Sequence, residues 1–190
     1  FTNNMGHILS AQFNTEFKLP YNLKFRSALN IDDYWSRSMV YTSAVHGSGQ
    51  TAPYGISILA DGGYASRSDN NQRSTTRNNV LSGDWSIGEH NISGMVGHEW
   101  YAWDSHYEDG WGSGIMELGK YELSNTTKDF GVGGGRDKYA LLSFFGKADY
   151  NYQNKYYLSA SVREDGSSRF SSENRFGTFW SFGASWRISK

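Results

Sequence analysis

The sequence predicts an all-β fold, an antiparallel up-and-down meander forming part of a transmembrane β-barrel with long extracellular loops and short periplasmic turns. Three observations carry this. Apolar and polar residues alternate with period two over several runs of about ten residues, which suits a strand with one greasy and one wet face and does not suit a helix. Aromatic residues make up 16% of the chain, with 7 Trp, 13 Tyr and 11 Phe, although hydrophobic residues are only 37% and the mean hydropathy is -0.65. A membrane sheet rimmed by Trp and Tyr combines those properties. Finally, the links between strands are short and long in turn, as in outer-membrane barrels.

The first strand comes early. Leu9, Ala11, Phe13, Phe17 and Leu19 alternate with Ser10, Gln12, Asn14, Glu16 and Lys18, and only Thr15 interrupts the apolar set. Pro20, Tyr21 and Asn22 make a tight turn, after which Leu23, Phe25, Leu29 and Ile31 alternate with Lys24, Arg26, Asn30 and Asp32. The stretch from Ser36 to Ser68 is rich in Ser, Gly, Ala and Tyr without alternation and reads as a long loop with room for short strands or a turn of helix. A strand with a thin apolar face is expected over Arg73 to Trp85, then a turn at Ile87-Gly88-Glu89-His90. The next strand, Asn91 to Trp103, ends in Trp100, Tyr101 and Trp103, an aromatic cluster suited to a membrane interface.

Asp104 to Lys138 reads as a second long, Gly-rich loop closed by GVGGGRDK. The alternation is strongest in the three strands beyond it. Leu142, Phe144, Gly146, Ala148, Tyr150 and Tyr152 oppose Ser143, Phe145, Lys147, Asp149 and Asn151. After a turn at Gln153-Asn154-Lys155, Leu158, Ala160 and Val162 oppose Ser159, Ser161, Arg163 and Asp165. A link over Gly166 to Asn174, on the long side in register, leads to a last strand in which Phe176, Trp180, Phe182, Ala184, Trp186 and Ile188 oppose Arg175, Ser181, Gly183, Ser185 and Arg187. The total is about seven strands of about 10 to 14 residues each; barrels of a single bacterial chain close on an even number from 8 upward. The chain is therefore expected to be an excerpt whose edge strands pair with strands from elsewhere, since open edges in lipid are costly.

Composition excludes several classes. A formal charge of -1 gives no field for nucleic acid, so nucleic acid is not an expected partner. The absence of Cys removes disulfides, thiolate metal sites and cysteine nucleophiles. No apolar run approaches the length of a membrane helix. FTNNMGHILS lacks the features of a signal peptide, so a leader is expected to have been removed or the chain to begin in mid-protein.

Candidate sites are few. Asp104, His106 and Glu108, spaced by two, would share a strand face and could hold a metal, but a polar strand end entering a loop accounts for them. GVGGGRDK lacks the Lys-Ser/Thr ending of a phosphate loop and reads as a flexible loop. DGSSRF is explained by turn chemistry. No nucleophile elbow, zinc-binding His pair or paired carboxylates on rigid elements appears, so neither an enzyme nor a cofactor is expected. Trp100, Trp103 and Trp111 could stack on sugar rings, although girdle or loop-packing roles are the plainer reading. Lys147, Asp149, Arg163, Asp165 and Arg187 fall on polar strand faces and would point into a lumen, where they could contact cargo or a plug. Phe144, Tyr150, Tyr152, Phe176, Trp180, Phe182 and Trp186 would face lipid or form the aromatic girdle.

These residues also carry a resemblance. NYQNKYYLSASVREDGSSRF and RFGTFWSFGASWRIS, with GDWSIGEHNISGMVG and ELGKYELS, resemble the late barrel region of SusC/RagA-type TonB-linked outer-membrane transporters over residues 60–190. Trp180 stands where many family members have Pro. The resemblance implies a bacterial outer-membrane barrel of about 22 strands with a plugged lumen. It implies energy from TonB, a SusD-like surface lipoprotein as partner, and import of oligosaccharides or oligopeptides. No plug domain or TonB box is expected within residues 1–190. Two other readings stay open: a soluble carbohydrate-binding β-sandwich, disfavoured by long strands, and a small eight-stranded outer-membrane adhesin or structural barrel, which would need one more strand within residues 40–68.

Overall fold

The structure, a computed structural model, describes residues 1–46, 57–58 and 62–188. Its main element is a seven-stranded antiparallel meander. The strands are β1 (Thr2–Leu19), β2 (Leu23–Thr42), β5 (Tyr64–Ile87), β6 (His90–Ser113), β7 (Lys128–Tyr152), β8 (Tyr156–Ser167) and β9 (Phe176–Trp186), each paired with the next in chain order. A separate two-residue pair, β3 (Val45–His46) and β4 (Ser57–Ile58), lies in the link between β2 and β5. Short 3-10 helices occupy Leu123–Asn125 and Ser172–Asn174. No helix among the described residues is long and apolar enough to cross a membrane. The β3–β4 pair forms a sheet of its own, so among the described residues it supplies no eighth strand to the meander.

The three short turns stand where the sequence places them, and their backbone explains why they are tight. Tyr21 and Asn22 have φ of 63° and 59°, and Gln153 and Asn154 have 55° and 51°. Two successive residues in the left-handed region form the mirror-image turn whose twist matches that of a hairpin. Lys155 N–H closes the second turn on the Tyr152 carbonyl at 3.0 Å. The Asn154 N–H also donates to Asn151 Oδ1 at 2.8 Å, so a local side chain supports the strained conformation.

The long links are shorter than expected. β2 runs on to Thr42 and β5 starts at Tyr64, so residues 36–42 and 64–68 are strand. β5 covers 24 residues and not just Arg73 to Trp85. β6 continues to Ser113 and β7 begins at Lys128, which confines the second link to residues 114–127. Trp100, Tyr101 and Trp103 consequently sit within β6 and not at its end, as do Asp104, His106 and Glu108. GVGGGRDK is strand and not a flexible loop. Its glycines make room for side chains of β6: a Cβ on Gly131 would fall inside the Trp111 ring, and one on Gly135 would stand 2.9 Å from Tyr107 Cε1. The alternation vanishes there because glycine and charged residues fill both faces apart from Val132, while the backbone ladder continues regardless. The β8–β9 link falls where expected.

The chain divides into two units. The first comprises Phe1–Leu9, Asp33–Arg73 and Asp104–Asp137. It holds the two buried hydrophobic residues found among the described ones, Tyr41 and Ala65. Tyr41 meets Tyr121 edge-on at 4.7 Å, and Tyr121 in turn contacts Phe1. Asn125 knits the 114–127 link through its side chain, donating to the carbonyls of Glu117 and Lys120 and accepting from the Glu117 N–H.

The second unit comprises Ser10–Asp32, Ser74–Trp103 and Lys138–Lys190 and holds all three short turns. No large hydrophobic side chain among its described residues is fully buried. Its apolar residues are exposed instead, Trp180 at 79% and Phe182 at 67%. A sheet that leaves Trp and Phe bare has no core on that side within the described residues, and the hydrophobic effect favours covering it.

Candidate functional site

Backbone register sorts the second unit into two faces. Lys147 pairs with Ser161, Asp149 with Ser159, and Asp165 with Ser143 across β7 and β8; Ser161 then pairs with Ser181, Asp165 with Gly177 and Arg163 with Phe179 across β8 and β9. Because directly paired residues share a face, Lys147, Asp149, Arg163 and Asp165 all lie on one side. Arg187 lies one residue beyond β9, its backbone N–H donating to the Lys155 carbonyl at 2.8 Å. On the other side stand Phe144, Tyr150, Tyr152, Phe176, Trp180, Phe182 and Trp186, through the pairs Tyr150–Leu158, Tyr152–Tyr156, Val162–Trp180, Ala160–Phe182 and Tyr156–Trp186.

The apolar face has a rim of rings near the short turns. Tyr156 stacks on Trp186 at 6.2 Å and on Tyr152 at 6.4 Å, and Lys155 Nζ lies over both the Tyr156 and Trp186 rings. His90 Nδ1 meets the Tyr150 hydroxyl at 2.7 Å. Glu164 shares this face and escaped the sequence reading; it is paired across the ladder with Phe144 and Thr178. Adjacency to Arg163 and Asp165 in a run of three charged residues hides the fact that the middle one points the other way.

The polar face carries a connected set of charges. Arg163 Nε donates to Asp165 Oδ1 at 2.7 Å, and its terminal nitrogen donates to Ser143 Oγ at 3.0 Å and approaches Glu99 Oε1 at 3.8 Å. Asn78 Nδ2 donates to the other oxygen of Glu99 at 3.2 Å, so the set spans β5, β6, β7 and β8. The Arg163 guanidinium also lies 5.7 Å from the Phe145 ring. Lys147 pairs with Asp149 at 2.8 Å, and Ser161 and Ser181 share a hydrogen bond of 2.8 Å. Nothing in the sequence pattern joins Glu99, Ser143 and Asn78 to Arg163, because that requires the register of four strands.

Two depressions on this face are broad. One, of about 720 Å³, is lined by polar groups including Ser86, Asn91, Asp149 and Ser159. The other, of about 440 Å³, lies beside Glu99, Tyr101, Ser143, Arg163, Asp165 and Phe179.

The first unit has a separate charged groove of about 910 Å³, lined by Asn71, Arg73, Asp104, His106, Glu108 and the glycines 133–135. Asp33 accepts from Asn71 Nδ2 at 3.1 Å and from Arg73 Nε at 3.1 Å, and Arg37 donates to Asp69 at 2.8 Å. Of the three spaced residues noted in the sequence, Asp104 accepts two donors from Arg136, while His106 Nε2 stands 3.5 Å from Glu108.

Comparison with known proteins agrees with this architecture. No family model matches the chain. It is 34% identical over 92 residues to TonB-dependent receptor SusC of Bacteroides thetaiotaomicron, and 30% identical over 142 residues to TonB-dependent receptor P26 of Formosa agariphila, covering 48% and 70% of this chain. Those matches span only 8% and 14% of the two relatives. The solved structure of the RagAB peptide transporter superposes with a TM-score of 0.87 over 98% of this chain and 20% of the matched one, at 21% identity, which shows the fold. Sequence and fold together make this chain a partial barrel segment of a SusC/RagA-type TonB-dependent receptor of the bacterial outer membrane.

Proposed function

We propose that the chain supplies wall to a TonB-dependent outer-membrane transporter that imports oligosaccharides or oligopeptides, working with a SusD-like surface lipoprotein and without chemistry of its own. The domain reading is a barrel segment throughout residues 1–190. The names of the relatives, receptors and a peptide transporter, support transport over catalysis. Energy would reach the barrel through TonB by way of parts of the parent protein other than this segment.

The observation that carries the proposal is the contrast between the faces of β7, β8 and β9. Phe144, Tyr150, Tyr152, Phe176, Trp180, Phe182 and Trp186 would meet outer-membrane lipid. Lys147, Asp149, Arg163, Asp165 and Arg187 would meet the lumen, where water, plug or cargo accepts charge. Strand length supports the same reading. A membrane β-strand needs about 9–11 residues, and β8 and β9 have 12 and 11. β5, β6 and β7, with 24, 24 and 25, would project beyond the hydrocarbon.

The test is a pair of nitroxide labels, at Ser181 and Phe182, in the full-length transporter reconstituted in lipid vesicles. The label at 182 should collide with oxygen dissolved in the bilayer, and the label at 181 with a water-soluble nickel chelate. Equal accessibility of the two to either reagent would remove the proposal.

A further inference from the structure

The apolar face of the second unit is interrupted by a polar cluster. His98 lies on that face, because its ring meets Phe144 at 6.2 Å and Phe144 belongs to it. Asn79 Nδ2 stands 3.0 Å from His98 Nε2, and Asn79 Oδ1 accepts from Ser27 Oγ at 2.7 Å. Side chains that touch across neighbouring strands share a face, so a bonded set from β2, β5 and β6 sits on the side proposed to meet lipid. Polar groups facing hydrocarbon are costly, and their presence points to a function.

The level of the cluster in the wall narrows that function. Tyr150 and Tyr152, in the aromatic rim near the short turns, meet the His90 ring, and His98 stands eight residues farther along β6. At about 3.4 Å per residue and a tilt of about 40°, His98 is about 20 Å above that rim, near the top of an apolar band about 25 Å tall. Trp100, exposed and two residues beyond on the same face of β6, takes the place of the upper girdle. Arg77 shares the face of Asn79 on β5 and lies two residues farther from the short turn at 87–90. It is exposed and has no ion pair or hydrogen bond among the described residues, whereas Arg26, Arg37, Arg67, Arg73, Arg136 and Arg163 each hold a carboxylate.

On this basis, and resting on the transporter reading, we infer that Arg77, Asn79 and His98 form an outward-facing seat for the phosphorylated headgroup of an outer-leaflet lipid. A guanidinium at the boundary between hydrocarbon and water offers the planar fork that phosphate accepts in pairs. Below it, Asn79 and His98 retain an N–H and a ring nitrogen beyond those they spend on each other, and these suit the hydroxyl or amide groups where a headgroup joins its acyl chains. Glu164 shares the face, but it belongs to β8, three strands from Arg77 and about 14 Å away at the usual strand spacing, so it leaves the fork free.

The experiment is native mass spectrometry of the full-length transporter in detergent, titrated with monophosphoryl lipid A, with the same lipid after removal of its phosphate, and with inorganic phosphate. The phosphorylated lipid should bind saturably, about tenfold or more tighter than the dephosphorylated one. Arg77→Gln should abolish that preference, while Arg26→Gln, on the opposite face of β2 from Ser27, should keep it. If Arg77→Gln does not insert in the membrane, the parental protein still decides, since equal binding of the two lipids removes the seat. The inference is also overturned if the preference survives Arg77→Gln, if inorganic phosphate alone displaces the lipid, or if Arg77→Cys cross-links two copies of the transporter in native membranes, which would put a second protein where the lipid is placed. The label pair at 181 and 182 reads the transporter proposal independently, so failure of the seat leaves that result standing.

Discussion

Arg163 on β8 reaches across β7 to place its guanidinium 3.8 Å from the Glu99 carboxylate on β6 while bonding Asp165 on its own strand at 2.7 Å. The three side chains are 45%, 35% and 39% exposed, so water screens their attraction. A double-mutant cycle of Arg163→Gln and Asp165→Asn in the full-length protein should therefore return a small coupling, about 0.2–1 kcal/mol. Thermal unfolding of the four variants in matched detergent measures it. A coupling several times larger would mean that this face is dry, contrary to its assignment to the lumen.

Neighbouring residues on β9 should respond oppositely to the same charge. Phe182→Lys places an ammonium group where lipid is proposed, at a cost of about 2–4 kcal/mol near the bilayer midplane, whereas Ser181→Lys adds charge to the polar face. The first should cut the yield of folded protein in the outer membrane severely, and the second should leave it near the parental level. Similar yields for both would contradict the assignment of faces.

Gly131 should tolerate no side chain. The Trp111 ring occupies the space of its Cβ, so Gly131→Val forces the indole from its seat at a cost of about 1–3 kcal/mol, the usual range for overpacking. Gly146→Ala is the control, since the nearest atoms to its added Cβ are 3.6 Å away. A drop in thermal stability for the first and none for the second is expected; Trp111 fluorescence should shift only in the first.

Asn154 is suited to its turn by both backbone and side chain. At φ 51° an ordinary residue is strained, and the Asn154 carboxamide additionally accepts from Asn151 Nδ2 at 2.9 Å. Asn154→Ala should destabilise the β7–β8 hairpin by about 1–2 kcal/mol through the left-handed conformation alone. Asn154→Gly keeps the conformation accessible and should lose much less. Refolding yield from urea into detergent ranks the two, and an equal loss would show that the conformation is not what the asparagine supports.

Much of the fold was legible because its determinants are local. The three short turns announce themselves through residues such as Pro20, Asn22, Gly88 and Asn154, and the period-two pattern from Leu142 to Trp186 assigns most side chains of the last three strands to a face without knowledge of their partners, Glu164 and Phe179 being exceptions. The seven-strand order is then the simplest one, since consecutive strands joined by tight turns or simple loops pair with one another. The pattern fails from Ser36 to Thr42, Tyr64 to Gln72 and Asp104 to Lys138. Polar residues and glycine dominate there and the apolar residues do not alternate, so composition imitates a loop even where the ladder continues.

Residue by residue, then, the sequence determined where the chain turns, which positions of the late strands are apolar, and that those positions gather on one face. The tertiary structure decided how far the strands extend, which side chain fills the space over Gly131, and that Glu99, Ser143 and Arg163 meet. The physical reason is that hydropathy is a property of single residues, whereas register and hydrogen-bond ladders exist only between strands.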